Sequence, residues 1–277
     1  MADADDDLDR IAAELDAPPR DRPFLAAPAH GARLEPWLRV IADRQASDLL
    51  LIADEPPTLR IHGRLVRTDA ARLDGAEIED MVLPDLPAHA QRAYRERGIV
   101  DASRKVPGLG RFRINLHRER GRAAAAIRML PARVPTLASL DLPPGTDLLA
   151  RIPRGLVLVG GATGSGKTTT LAALVDDINR REPKHIITVE DPIEYEHTNQ
   201  LSVIQQIEIG IDAPDFPTAL RSALRQAPDV IVIGEMRDPE TMKIALAAGE
   251  TGHLVFSTLH TTDVPSTLAR ITDSFPA

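Results

Sequence analysis

Residues 155–170 read GLVLVGGATGSGKTTT, and this stretch decides the fold of the second half of the chain. Residues 155–159 form a short apolar run typical of a buried parallel strand, and residues 168–178 have the apolar face of a helix. Between them lies the phosphate-binding pattern G-x-x-x-x-G-K-[ST], which is matched by Gly161, Gly166, Lys167 and Thr168. Strand, glycine-rich loop and helix therefore follow in the order that a phosphate-binding loop (P-loop) needs.

The residue types of this loop suit a nucleoside triphosphate. Glycines let backbone N–H groups turn onto phosphate oxygens, and the N-terminus of the next helix adds the positive end of its dipole. We expect Lys167 to neutralise charge on the β- and γ-phosphates and the Thr168 hydroxyl to bind Mg²⁺. The residues predicted to hold ATP are Gly161, Thr163, Gly164, Ser165, Gly166, Lys167, Thr168 and Thr169. The alternative is a glycine-rich turn without a ligand, which requires the motif and its context to agree by chance.

Composition indicates a globular protein with room for two domains. The chain has 277 residues, of which 43% are hydrophobic and 27% are charged. A net charge of −8 argues against broad binding to a phosphate backbone, so we expect no direct nucleic-acid binding and disfavour a DNA motor.

The cysteine content and the N-terminal sequence both indicate the cellular compartment in which the protein is found. The chain contains no cysteine, which excludes disulfides and thiolate zinc sites within it. No apolar run is long enough to span a bilayer, and the start MADADDDLDR is acidic, unlike a secretory signal. We expect a cytoplasmic protein.

The pattern along the chain predicts four regions. Residues 1–33 are acidic and then Pro/Ala-rich, typical of a flexible tail. Residues 34–131 combine a helix at 34–41, short strands, helices near 76–82 and 87–97, and a hairpin turning near Gly121, which indicates a small α+β domain. Residues 132–153 are a Pro-rich linker. From 154 to 277, strands at 155–160, 185–190, 230–234 and 254–258 alternate with helices, which predicts a doubly wound parallel sheet.

Carboxylates follow two of these strands. DVIVIGE brings Glu235 to the C-terminal end of its strand, where ligands bind in open α/β sheets, so Glu235 is a candidate to activate or orient water. A structural ion pair with Arg237 is the alternative. ITVEDPIEYEH also ends an apolar strand and supplies Glu190, Asp191 and Glu194 there, one of which is expected to hold the magnesium shell or a water.

Histidines and arginines complete the set of candidates. His253 and His260 stand at the two ends of one apolar strand, which makes a zinc pair a poor fit and leaves a structural role and γ-phosphate sensing open. Arginines crowd the hairpin of the small domain, where they are either solvated or available to a neighbouring phosphate; they are Arg111, Arg113, Arg118, Arg120, Arg122 and Arg128.

Four motifs together resemble the type II/type IV secretion ATPases. GATGSGKTTT, VEDPIE, IGEMRD and TGHLVFSTLHT are similar in order and spacing to the Walker A, Asp box, Walker B and His box of that family. ASDLLLIADEPPTLRIHGRL and RFRINLHRERG extend the resemblance to the small domain, and RITDSFP resembles the pilus retraction branch.

The resemblance implies a PAS-like α+β domain followed by a RecA-like P-loop ATPase domain that stops before the family's C-terminal domain. It also implies a hexamer with ATP and Mg²⁺ between domains and subunits. Glu235 corresponds to the catalytic Walker B glutamate, Glu190 to the Asp-box acid and magnesium residue, and His253 and His260 to the His box. Arg113 and Arg128 are the candidates to reach a neighbouring γ-phosphate.

The implied function is type IV pilus retraction for twitching motility or DNA uptake, at the cytoplasmic side of the inner membrane. The implied partners are further copies of the chain, the inner-membrane pilus platform protein and a paralogous retraction ATPase. Three positions depart from the family pattern: Leu50, Ala162 and Ile207. A pilus extension or secretion ATPase, a non-hydrolysing accessory module and an inactive fragment remain alternatives.

Overall fold

Two β-sheets organise the structure, which is a computed structural model that describes residues 33–275. The first is antiparallel and has the strand order β3-β2-β1-β6-β5-β4. Its strands are β1 (Asp48–Leu51), β2 (Thr58–Ile61), β3 (Arg64–Arg67), β4 (Ile99–Val106), β5 (Gly110–Glu119) and β6 (Arg122–Met129). Its helices are α1 (Leu34–Asp43), α2 (Gly75–Val82) and α3 (Ala88–Arg97). The expected tail at 1–33 lies outside the described residues apart from Arg33.

The hydrophobic core of this half follows the predicted periodicities. The apolar face of α1 is fully packed, because Leu34, Trp37, Leu38 and Ile41 are at most 3% exposed. Along β5, Phe112, Ile114 and Leu116 alternate with polar residues and are all buried. The β5–β6 hairpin turns at Arg120 and Gly121, both with positive φ, as the sequence predicts. The hairpin and both helices near 76–82 and 87–97 are thus confirmed.

The second sheet is parallel and has the order β7-β11-β10-β8-β9. Its strands are β7 (Gly155–Gly160), β8 (His185–Glu190), β9 (Val203–Glu208), β10 (Val230–Ile233) and β11 (Leu254–Leu259). The helices are α4 (Lys167–Arg181), α5 (Phe216–Ala223), α6 (Pro239–Glu250) and α7 (Val264–Thr272). The four predicted strands are present within one residue of their expected limits, and β9 is an additional strand.

Helices cover both faces of the parallel sheet. On one face, Leu174 and Ile178 of α4 pack with Phe256 in one buried cluster. On the other face, Leu220 of α5 and Met242 of α6 belong to a second cluster. The strands are apolar on both faces because both are covered, so the doubly wound arrangement is confirmed.

The two sheets touch through β4 and β5. Arg111 on β5 donates to the carbonyl oxygen of Ile193 at 2.8 Å and pairs with Glu208 at the end of β9 at 3.4 Å. Ser103 on β4 donates to the same Glu208 carboxylate at 2.8 Å. Residues 130–153 connect the sheets and include two 3-10 turns, Leu137–Ser139 and Thr146–Arg151, which pack on α4. Among residues 33–275, no helix is both long enough and apolar enough to cross a bilayer.

Candidate active site

The P-loop occupies the turn from β7 into α4. Gly164 and Gly166 have φ of +78° and +92°, a left-handed conformation that side-chain-bearing residues rarely adopt. A Cβ on Gly161 would lie 2.4 Å from Ser165 Oγ, so a side chain at this position would displace the Ser165 hydroxyl. Gly166 is the N-cap of α4, and the loop therefore presents the N-terminus of a helix of 15 residues.

Lys167 is buried and folds back over this loop. Its Nζ donates to the carbonyl oxygens of Gly161 and Ala162, both at 2.9 Å. The ammonium group is thus held against the carbonyl oxygens that begin the glycine-rich loop. An anion that enters the loop would meet a fixed positive charge and the helix dipole together.

Three further candidates lie at the same edge of the sheet as the P-loop. Glu190 ends β8, Glu235 comes directly after the turn that follows β10, and His260 directly follows β11. The C-terminal ends of parallel strands share one edge, so the fold brings these side chains to the loop that follows β7. Candidate residues that are spread over about a hundred positions of the sequence therefore lie at one edge of the sheet.

Glu235 is held by two basic side chains. Its carboxylate pairs with Arg237 at 2.5 Å and with Nε2 of His260 at 3.5 Å, and it is 16% exposed. The ion pair with Arg237, which the sequence left open as an alternative, is therefore present. It does not exclude a catalytic role, because a carboxylate fixed by two partners is also one whose direction is set.

The Glu190 carboxylate accepts hydrogen bonds from two side chains. Thr188 Oγ1 and Gln206 Nε2 both donate to Glu190 Oε1, at 2.7 and 3.2 Å. Burial raises the pKa of Glu190, and these two hydrogen bonds act in the opposite direction by stabilising the charged form. Thr168 and Glu190 line one small cavity of about 20 Å³ together with Tyr195 and His197.

The two candidate arginines sit opposite each other on β5 and β6. Arg113 pairs with Asp101 at 3.2 Å. Burial raises the pKa of Asp191, and the charge of Arg113 offsets part of that rise. Arg128 donates to Asp48 at 2.8 Å, and its side chain is 64% exposed. Arg113 therefore acts electrostatically on the segment after β8 of its own chain, whereas Arg128 projects from the sheet surface.

His253 does not join this edge. It precedes β11, and both its backbone N–H and its ring Nδ1 lie 3.1 Å from the carbonyl oxygen of Ala248 at the end of α6. It thus stands at the opposite end of the strand from His260. The structure brings together Glu235 and His260 but places His253 in a helix-terminating contact.

Several side chains at the site carried no signal in the sequence. Gln206 lies on β9, a strand that the sequence did not predict, and Tyr195 sits in the irregular segment after β8. Tyr195 OH lies 3.0 Å from Thr169 Oγ1. For Tyr195 the sequence held one hint. It carries a hydroxyl and follows closely after Glu190, which ends a parallel strand, and the segment after such a strand must pass the P-loop.

The residues fit a magnesium nucleotide. Gly161 forms a cradle that a Cβ would fill, and Gly164 and Gly166 have the conformations that turn N–H groups inward. Thr168 and Glu190 offer the hydroxyl and carboxylate oxygens that Mg²⁺ prefers, and they line the same cavity. The residues therefore offer donors for phosphate oxygens and oxygen ligands for a hard cation next to each other.

Comparison with known proteins agrees with this geometry. Residues 125–274 match the family model described as type II/IV secretion system protein. The twitching motility protein of Neisseria gonorrhoeae is 46% identical over 80% of this chain and 59% of its own length. The type IV pilus retraction ATPase PilT of Pseudomonas aeruginosa is 43% identical over 85% of this chain and 69% of its own length.

Solved structures give the same relationship. A crystal structure of the pilus retraction motor PilT with bound ADP superimposes with a TM-score of 0.83 at 44% identity, over 88% of this chain and 72% of that one. The Legionella pneumophila ATPase DotB follows with a TM-score of 0.79 at 30% identity, over 91% of this chain and 73% of that one. With its P-loop, its sheet order and relatives at this identity, the chain belongs to the type II/IV secretion ATPase family and is similar to its PilT members.

Proposed function

We propose that this chain hydrolyses ATP as part of a hexameric motor that retracts type IV pili, in twitching motility or DNA uptake. The observation that carries the proposal is the convergence of Lys167, Glu190, Glu235 and His260 at one edge of the parallel sheet. The pilus assignment rests on what the similar proteins are called, and the chain spans 59% and 69% of the first two. The proposed domains are residues 34–131 and 154–277, joined by 132–153.

The P-loop would bind the phosphates of ATP. Backbone N–H groups of residues 161–169 and the ammonium of Lys167 would bind the phosphates, with Thr163, Gly164, Ser165 and Thr169 shaping the loop. Thr168 and Glu190 would hold Mg²⁺, which when bound would neutralise charge on the phosphate oxygens. Because Gly164 and Gly166 already have positive φ, the loop needs little rearrangement before it accepts a phosphate.

Glu235 would direct the attacking water. A carboxylate placed near the γ-phosphate can accept the proton of a water or fix its orientation. Arg237 and His260 hold the two carboxylate oxygens and so define the direction in which a free lone pair points. His260 would then respond to the phosphate through its contact with Glu235. His253 remains a family-implied candidate with no contact to this group.

Assembly would complete the site. Arg113 and Arg128 are our candidates for positive charge supplied to a neighbouring subunit's phosphate, and Arg128 has the greater exposure for that task. The proposed partners are further copies of this chain in a homohexamer, an inner-membrane pilus platform protein and a paralogous retraction ATPase. The proposed location is cytoplasmic, peripheral to the inner membrane through the pilus machinery.

A non-hydrolysing nucleotide-binding module is the second candidate. One observation favours it: Lys167 is bonded to loop carbonyls and Glu235 to Arg237, so both key charges have internal partners. The two candidates predict the same binding and different turnover.

Glu235→Gln distinguishes them. We expect the variant to bind ATP within about threefold of the wild type while its hydrolysis rate falls by at least about 100-fold, since the carboxylate acts only on the water. Glu250→Gln at the end of α6 is the matched control and is expected to hydrolyse normally. Equal turnover in wild type and Glu235→Gln would contradict the proposed role, and binding without turnover in the wild type would favour the accessory module.

A further inference from the structure

Gln206 makes three hydrogen bonds at the heart of the site. Its Nε2 donates to Glu190 Oε1 at 3.2 Å and to the carbonyl oxygen of Tyr195 at 2.8 Å. Its Oε1 accepts from the backbone N–H of His197 at 2.8 Å. The reversed amide would face its oxygen towards a carboxylate and a carbonyl, so the three partners together fix its orientation.

Tyr195 extends this arrangement to the P-loop helix. It is 7% exposed, and its hydroxyl lies 3.0 Å from Thr169 Oγ1 in the first turn of α4. Tyr195 therefore links the two ends of the site: its hydroxyl contacts Thr169 of the phosphate-binding helix, and its backbone carbonyl accepts from Gln206, which also donates to Glu190. Tyr195 and Glu190 also line the small cavity that Thr168 faces.

The neighbouring glutamine shows that this link is specific to one side chain. Gln205 precedes Gln206 on β9 and has the same chemistry, but successive residues of a strand point to opposite faces. Gln205 Oε1 meets Nε2 of His185 at 2.9 Å, at the start of β8. Gln205 therefore contacts the neighbouring strand β8 through His185, whereas Gln206 contacts Glu190.

We propose that Gln206 is a positioning residue, which holds the Glu190 carboxylate towards the magnesium and phosphate subsites and, through Tyr195, ties it to the P-loop helix. The inference rests on the proposed function of Glu190. Without Gln206, the carboxylate would keep Thr188 as its side-chain donor and the backbone hydrogen bond from Glu194, and would lose its tie to β9. With Gln206, the acid is hydrogen-bonded to the backbone of Tyr195, whose side-chain hydroxyl contacts the P-loop helix.

Gln206→Met tests this, because methionine keeps the length of the side chain and removes all its polar atoms. The readout is the Mg²⁺ concentration that gives half-maximal binding of a fluorescent ADP analogue, measured at equilibrium on the whole chain. Loss of an outer partner of a metal-binding acid typically weakens the site about 10-fold or more, so we expect this concentration to rise about 10-fold. At saturating Mg²⁺ we expect kcat to fall by a similar factor while KM for ATP changes less than about threefold.

Gln205→Met is the matched control and is expected to leave the magnesium dependence and kcat unchanged. If Gln206→Met and Gln205→Met behave alike, the positioning role is wrong. Should Gln206→Met lower the melting temperature far below that of the control, Tyr195→Phe decides, since it removes one hydroxyl. A rise in the required Mg²⁺ of about threefold then supports the link, and no rise overturns it.

Glu190→Gln separates this inference from the proposed function. If Glu190→Gln weakens magnesium-dependent binding and Gln206→Met does not, only the positioning role fails. If wild-type chain binds no nucleotide, or Glu190→Gln has no effect on magnesium dependence, the proposed role of the site fails and the inference falls with it.

Discussion

Single residues of the P-loop combine an unusual backbone with a chemical task, and Gly166 is the clearest case. Its φ is +92°, and nothing lies within 4 Å of a Cβ placed on it. Strain rather than collision would therefore oppose a side chain there. Because Gly166 is also the N-cap of α4, any shift of its backbone moves the N–H groups that we propose for phosphate binding.

Gly166→Ala is expected to lower the free energy of unfolding by about 1 kcal/mol and to weaken ATP binding by about 10-fold or more. Gly108→Ala is the matched control, since Gly108 has φ of +76°, equally open surroundings and a place in the β4–β5 turn. It should lower stability to a similar degree and leave nucleotide binding unchanged. Urea unfolding and equilibrium binding measure the two effects, and equal loss of binding in both variants would contradict a local role for Gly166.

The sequence predicted the placement of residues that follow a strand end. Four candidates follow short apolar runs: Lys167, Glu190, Glu235 and His260. That they lie at one edge of the parallel sheet could therefore be predicted from the sequence. It kept His253 and His260 together as candidates, although His253 precedes its strand and His260 follows it, so that in a parallel sheet only His260 lies at the edge of the P-loop. Gln206 and Tyr195 could not be found this way, since their importance lies in contacts with side chains distant in the sequence.

At the scale of elements, the ends of β4, β5 and β9 form a joint between the two sheets. Arg111 and Glu208 are 11% and 7% exposed, and Ser103 and the backbone N–H of Ile193 also donate to Glu208. Arg111 further holds the carbonyl oxygen of Ile193, in the segment that leads from Glu190 to Tyr195. The first sheet therefore contacts the segment that carries the acid side of the proposed site.

Removing one partner of this buried pair should be costly. Arg111→Met is expected to reduce the free energy of unfolding by about 2 kcal/mol, because the Glu208 carboxylate loses its charged partner. Arg151→Met is the control, since Arg151 and Asp147 form a pair that is 54% and 47% exposed, and it should cost about 0.5 kcal/mol or less.

A double-mutant cycle with Glu208→Gln isolates the pairwise contribution. The double variant should be more stable than the sum of the single effects predicts, because no uncompensated buried charge remains. Strictly additive losses in urea unfolding would show that Arg111 and Glu208 do not act as a pair.

The same elements explain where secondary structure could be predicted. α1 and β5 have strong periodicities, and β7, β8, β10 and β11 are apolar runs bounded by glycine or charge. β9 reads VIQQIE and β4 reads IVDASRKV, so both carry polar residues on positions that a buried strand would make apolar. Each is an edge strand whose polar side chains serve the joint or the site, and tertiary contacts rather than local pattern stabilise them.

For the whole molecule, the contact between the sheets offers a route by which a change in the bound nucleotide would move the first sheet relative to the second. The P-loop helix is linked to Glu190 through Tyr195 and Gln206, and the following segment is bonded to Arg111 of the first sheet. A change at the phosphate subsite would therefore reach the first sheet through direct contacts. In the proposed hexamer, that sheet would carry Arg113 and Arg128 towards a neighbouring subunit.

The rate of magnesium-dependent ATP hydrolysis per subunit, measured across a dilution series beside Glu235→Gln, tests the central claim most directly. We expect the rate per subunit to rise with protein concentration and to be abolished in Glu235→Gln, since the proposed site is shared between subunits and the proposed task of Glu235 is to direct the water. Nucleotide binding without turnover at any concentration would contradict an ATP-hydrolysing motor. A rate per subunit that is independent of concentration would contradict the shared site.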